Sequence, residues 1–109
     1  MSIIYLIGKS LFNTRILEIY LSACKLQAQG GQQVSIVFLQ DGVLVASRGN
    51  SFESQLLEMK ENGIKIYFRK EDLNARAING TNVIPAGVSI DTKEMIAIIA
   101  EATTIVSVL

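Results

Sequence analysis

Three short segments bring together residue types that could do chemistry. They are Gly8-Lys9-Ser10 behind an apolar run, the single thiol Cys24, and Asp41-Gly42 behind a second apolar run. Gly-Lys-Ser between a strand and a helix is the end of a phosphate-binding loop. That loop also needs a glycine five positions before its Gly-Lys pair, and Ile3 stands there, inside the apolar run. The nest of backbone donors that would cradle a triphosphate is missing, so nucleotide hydrolysis is not expected. A weaker anion site at the start of the following helix, using Lys9 and Ser10, is what the segment can still supply.

Cys24 is the only soft nucleophile. It falls about ten residues into the first expected helix, roughly 15 Å from its start at 1.5 Å per residue. The helix dipole acts only over the first turn, so it does not lower this thiol's pKa. On a helical wheel Cys24 shares a side with Leu17, Leu21 and Ala28, which predicts an inert core thiol. Asp41 follows the second strand and should stand at the carboxyl edge of a sheet, where open α/β folds bind ligands. Equally, Asp41-Gly42 suits a plain turn. Arg48, Arg69 and Arg76 are expected on solvated or ion-paired surfaces.

These groups must be positioned by elements that alternate. Ile3 to Gly8 reads as a buried strand. Asn13 or Thr14 caps a helix to about Gln29, stopped by Gly30-Gly31. Its polar positions Glu18, Ser22, Lys25 and Gln29 form one narrow stripe, so the helix predicts a wide buried face. Val34 to Leu39 is a second strand. After it, Asp41-Gly42 and Val43 to Ala46 suit either a tight hairpin or a loop with a short helix. Asn50-Ser51-Phe52-Glu53 resembles a capping box for a helix ending at Asn62-Gly63. Ile64 to Phe68 is a third strand, and Lys70 to Ile78 a helix with acids early and Arg76 late. A fourth strand is expected from Val83-Ile84 through Val88-Ser89-Ile90. Asp91-Thr92-Lys93-Glu94 is a second capping box, for an apolar helix from Met95 to Ala102, and Thr103 to Leu109 is a fifth strand. The pattern is that of one α/β domain, residues 1–109, with a largely parallel sheet.

Composition narrows the classes further. The 109 residues carry ten bases and ten acids, and no histidine. Without histidine there is no Ser-His-Asp triad, no Cys-His pair and no imidazole zinc ligand; no metal or cofactor is expected. Zero net charge leaves no electrostatic footprint for nucleic acid. The longest apolar run, Met95 to Ala100, is six residues, far below the roughly 20 that cross a bilayer. The start lacks the basic and cleavage-site features of a signal peptide, and the lone cysteine suits a cytoplasmic protein. Charged residues make up 18% and hydrophobic ones 50%, against about 25% charged in an average domain. Part of this apolar excess is expected outside the core, as a subunit interface.

In order and spacing, several weak motifs together resemble the DsrH/TusB family. They are Lys9-Ser10 followed by Phe12, Leu39-Gln40-Asp41-Gly42-Val43, Gly49-Asn50-Ser51 with Glu53-Ser54-Gln55, and Ile66-Tyr67. Glu71-Asp72-Leu73 with Ala75-Arg76, and Val83-Ile84-Pro85 before Ile90-Asp91, complete the set. The resemblance implies a three-layer α/β/α sandwich with a mostly parallel sheet of about five strands, and a loop and short helix at Asp41-Gly42 instead of a hairpin. It implies an accessory subunit of a sulfur relay, handing on persulfide sulfur toward tRNA wobble-uridine 2-thiolation or cytoplasmic sulfur oxidation. Implied partners are DsrE/TusD-like and DsrF/TusC-like subunits, or further copies of itself. The main acceptor cysteine of that family sits on the DsrE/TusD-type subunit. Members of the DsrH type can carry a cysteine in the first helix, where this chain has Tyr20. Binding or interface candidates are therefore Lys9, Ser10, Tyr20, Asp41, Gly42 and Arg76, with Cys24 as the nucleophile of an alternative, stand-alone sulfurtransferase. A third reading is a small-ligand domain using Asp41, Lys9 and Ser10.

Overall fold

The computed structural model describes residues 2–10 and 12–109. Five strands form one sheet: β1 Ser2–Ile7, β2 Gln33–Phe38, β3 Lys65–Arg69, β4 Val88–Ile90 and β5 Thr104–Val108. Their order is β4-β3-β2-β1-β5, and every pair is parallel. The helices are α1 Thr14–Gln29, α2 Glu53–Glu61, α3 Lys70–Ala75 and α4 Thr92–Glu101. From β1 to β4 the chain steps steadily one way across the sheet. It then returns from β4 to β5 on the far side of β1. Right-handed crossovers put α1, α2 and α3 on one face and α4 on the other. This is the expected three-layer sandwich.

The first face holds the main core. Alternate strand residues Ile3, Tyr5, Ile7, Val34, Ile36, Phe38, Ile66 and Phe68 meet Leu17, Leu21 and Cys24 of α1 and Leu56 and Met59 of α2. The second face is thinly covered. Ile4, Val37 and Ile90 are buried there, yet no residue of α4 is fully buried. Ile96 of α4 is 60% exposed, as is Val88 of β4.

Helices α1, α2 and α3 end alike, with a left-handed residue whose successor donates its N–H back five residues. Gly31 and Gly63 take that conformation for α1 and α2. For α3 the residue is Ala77, at φ 55°, and Ile78 N–H reaches Leu73 O at 3.0 Å. The expected helix to Ile78 therefore stops at Ala75, because burying Ile78 beside Leu73 turns the chain inward. The capping box at Asp91 and Glu94 is present as expected. The one at Asn50 is shifted: Asn50 Oδ1 accepts from Phe52 N–H and Glu53 Oε1 from Gly49 N–H, closing the turn before α2.

Two other expectations are corrected. Val83-Ile84 is not strand; Val83 makes an isolated antiparallel bridge with Ser47, and Pro85 keeps the chain out of the sheet until Val88. The apolar side of α1 is only half buried. Leu17, Leu21 and Cys24 face the sheet, while Ile16, Ile19 and Leu26 stay in water. A flat sheet contacts only about a third of a helix circumference, so an apolar arc wider than that cannot all be covered.

Candidate functional site: the carboxyl edge of the sheet

Four of the sequence candidates lie in the segments that follow β1 and β2 at this edge. Lys9 and Ser10 follow β1, and Asp41 and Gly42 lie in the 3-10 helix Gln40–Ala46 that follows β2. This helix replaces the hairpin and keeps β2 parallel to its neighbours. Gly42 is required there: a Cβ on it would run into the backbone carbonyl of Ile7. At Gly8 a Cβ would come within 2.7 Å of the Gln40 side-chain oxygen. The two glycines let the ends of β1 and β2 lie against each other. Gln40 itself takes φ 52°, a costly conformation for a residue with a side chain. Its N–H donates to Asp72 Oδ2 at 2.8 Å, which holds it there.

Asp72, on α3, is the centre of the edge. Besides the Gln40 N–H it accepts from Arg69 Nη1 at 3.2 Å, and its Oδ1 lies 3.8 Å from Arg76 Nη1. Arg76 Nη1 also donates to the Asp72 backbone carbonyl, and Nη2 to Asp41 Oδ1 at 2.7 Å. Arg76, just before the left-handed turn at Ala77, thus meets Asp41 in an ion pair.

On its other side Arg69 reaches Thr92. Nε and Nη2 donate to the Thr92 hydroxyl at 3.2 and 3.0 Å, and that hydroxyl donates to Glu71 Oε2 at 2.8 Å. Thr92 N–H also donates to Glu71 Oε2. These bonds, led by the Thr92 hydroxyl, hold the Glu71 carboxyl below its ordinary pKa. Arg69 ends β3 and Thr92 begins α4. The chain leaves β3 toward one face and β4 toward the other, so this gap is the switch-point crevice where open α/β folds take ligands. Here it is filled by the protein's own side chains. Arg69, Glu71, Asp72 and Thr92 were missed as a site; their only sequence signal is the acid-rich opening of α3 next to a terminal strand arginine.

Of those four, Ser10 is spent locally, and Tyr20 and Cys24 stand apart from the edge. Ser10 Oγ accepts from Phe12 N–H at 3.1 Å, closing a turn. Tyr20 is half-buried on α1, edge-to-face with Tyr5 at 6.4 Å between ring centroids. Arg48 donates to the Thr81 carbonyl. Cys24 is fully buried, and burial pushes its thiol up to about 12. At neutral pH it is neither a nucleophile nor a ligand. Among the described residues no group of three His, Cys, Asp or Glu side chains could hold a metal ion.

A cleft of about 380 Å³ opens at the opposite, amino end of the sheet, beneath the end of α4. Gln33, Ser35, Lys65, Tyr67 and Glu101 line it, and the side-chain oxygen of neighbouring Gln32 is buried without a hydrogen-bond donor. The roomy concavity is thus not at the edge where Asp41, Lys9 and Ser10 lie. Among the described residues no helix is long and apolar enough to cross a membrane.

Comparison with known proteins agrees with this architecture. A family model described as DsrH like protein matches residues 9–105. The YchN protein of E. coli superposes with a TM-score of 0.80 at 13% identity, over 98% of both chains. The protein of unknown function MTH1491 from Methanobacterium thermoautotrophicum gives 0.76 at 14% identity, over 97% of this chain and 96% of that one. BT1422 from Bacteroides thetaiotaomicron, also of unknown function, gives 0.73 at 12%, over 98% and 94%. No curated protein sequence matches significantly.

Proposed function

The chain belongs to the DsrH-like family, and from that premise we propose that it is an accessory subunit of a persulfide relay, built to dock rather than to carry sulfur. The observation that carries this reading is Cys24. The only thiol in the sequence is buried in the core against α1's neighbours and is protonated at neutral pH. Persulfide transfer requires an acceptor thiolate to attack the outer sulfur of a donor persulfide. A new S–S bond forms, the donor's S–S bond breaks, and the donor leaves as a thiolate. A sealed, protonated thiol can serve as neither acceptor nor donor.

What this chain offers instead is surface. Helix α4 presents Met95, Ile96, Ala97, Ile98, Ile99 and Ala100 in succession, none of them fully buried. A partner subunit resting on α4 and the half-bare second face would bury them, and would keep water from a persulfide held near that contact. Cysteine-bearing α/β partners of the DsrE/TusD and DsrF/TusC type suit that role, in the cytoplasm, serving tRNA thiolation or sulfur oxidation. The test is to co-express the chain with such partners from the same genome and to run size exclusion. Co-elution, lost with Ile96→Glu, supports the reading; failure to co-elute with any of them overturns it.

A further inference from the structure

The second face of the sheet is open at its amino end for a topological reason. Strand β4 is three residues long and pairs only with Tyr67, Phe68 and Arg69, the carboxyl half of β3. Helix α4 starts beyond β4 and runs back across the sheet. Its last residue, Glu101, stands two positions before Thr103, whose N–H donates to Ser2 O at the start of β1. Between that helix end and the bare amino half of β3 lies the cleft of about 380 Å³. Ser35 of β2 is the register partner of Lys65, and Tyr67 lies two residues beyond Lys65, so the three side chains stand together on the face that α4 covers.

The polar groups of this cleft are unspent. At the carboxyl edge Arg69, Glu71, Asp72 and Thr92 satisfy one another. In the cleft the side chains of Ser35, Lys65, Tyr67 and Glu101 make no hydrogen bond or ion pair with any described residue. Gln32, in the cleft wall, keeps its side-chain oxygen buried without a donor, a rare state for a polar atom. The groups are also sorted by sign. Lys65, Ser35 and Tyr67 put a single positive charge and two hydroxyl donors on the β2–β3 side. Glu101 adds a carboxylate to the negative, carbonyl end of α4 on the β1 side. Strands β1 and β3 lie about 10 Å apart, and half-buried Ile98 of α4 lines the space between the two poles.

We propose that this cleft binds a free α-amino acid as its zwitterion. Lys65 and the Ser35 and Tyr67 hydroxyls take the carboxylate, Glu101 and the last α4 carbonyls take the ammonium, and an apolar side chain rests on Ile98. One lysine with two neutral donors matches a singly charged carboxylate, where a phosphate would need more positive charge. A ligand bearing only one charge would leave the opposite pole unanswered. The ammonium, or a water ordered beside it, supplies the donor that Gln32 Oε1 lacks. The site goes beyond the relay reading and involves no partner subunit, so either can fail without the other.

Titration of L-leucine into the isotope-labelled full chain, followed by amide NMR, tests it. The expected result is saturable shifts centred on Ser35, Lys65, Tyr67 and Glu101, with a Kd below about 1 mM. Isocaproate, which lacks the ammonium, and L-leucinamide, which lacks the carboxylate, should each bind about tenfold more weakly or worse. Lys65→Met should weaken L-leucine by about tenfold and leave L-leucinamide unchanged. Glu101→Gln should weaken L-leucine to a similar degree and leave isocaproate unchanged. Both residues are exposed, so each variant should keep the dispersed spectrum of the folded chain. No saturable shift up to about 10 mM, shifts centred on Asp72 and Arg76 instead, either analogue binding as tightly as L-leucine, or either variant binding L-leucine unimpaired would each overturn the proposal.

Discussion

Asp72 Oδ2 accepts the backbone N–H of Gln40 at 2.8 Å and so holds a left-handed residue, 32 positions away in the chain, against the end of β1. Asp41, by contrast, meets Arg76 mostly in water, at 63% side-chain exposure. The two carboxylates should therefore differ sharply in what they contribute. Asp72→Ala should destabilise by about 2 kcal/mol, because a strained N–H and Arg69 both lose an acceptor. Asp41→Ala should cost about 0.5 kcal/mol or less, as exposed pairs do. Urea unfolding of the two variants measures the difference.

Glu71 gives the edge a pH dependence. Its folded pKa lies below the ordinary carboxylate value because the Thr92 hydroxyl, then Glu71's own backbone N–H and the Thr92 N–H, donate to it. The stabilisation is present above the unfolded carboxylate range and is lost as the pH falls through the depressed folded value. Removing the hydroxyl with Thr92→Val should move the Glu71 titration, followed by NMR of its side-chain carboxyl, back up toward the ordinary value. An unmoved titration would assign the depression to the backbone donors instead of the Thr92 hydroxyl.

The thiol behaves in the opposite sense. Cys24, raised to about 12, contributes stability that is whole below the ordinary thiol pKa. That contribution is lost progressively as the pH climbs from there toward the folded value. At pH 8 a thiol reagent should label Cys24 only at the rate of unfolding, and at once in denaturant. Rapid native-state labelling would revive the stand-alone sulfurtransferase.

Two backbone positions should respond with opposite signs. Ala77 holds a conformation that suits glycine, so Ala77→Gly should stabilise the protein by about 0.5–1 kcal/mol. Gly42→Ala should destabilise it by about 2–3 kcal/mol, since the new methyl meets the Ile7 carbonyl. Thermal unfolding of both variants gives the comparison.

Much of the fold was legible because its signals are local. The apolar runs, Gly30-Gly31, Asn62-Gly63 and the Asp91–Glu94 box mark their elements within a residue or two. Asp41-Gly42 was not decidable locally, since a hairpin and a parallel sheet ask for the same dipeptide; the Ile7 carbonyl that excludes any side chain at Gly42 belongs to another strand. The half-buried α1 was misjudged for the same reason: a wheel shows which side is apolar, not how much of it a sheet can reach. At the edge, Asp41 and Arg76 were visible, while the Arg69–Thr92 link joins residues 23 apart and is created only by the β3–β4 switch.

The docking-subunit account is tested most directly by sulfur transfer through a relay reconstituted with Cys24→Ala in this chain. The account predicts transfer of labelled sulfur from donor to final acceptor within about twofold of the unaltered complex, because the deleted thiol never bonds to the cargo. Loss of transfer by an otherwise intact complex would contradict it, and would make Cys24 a station on the path.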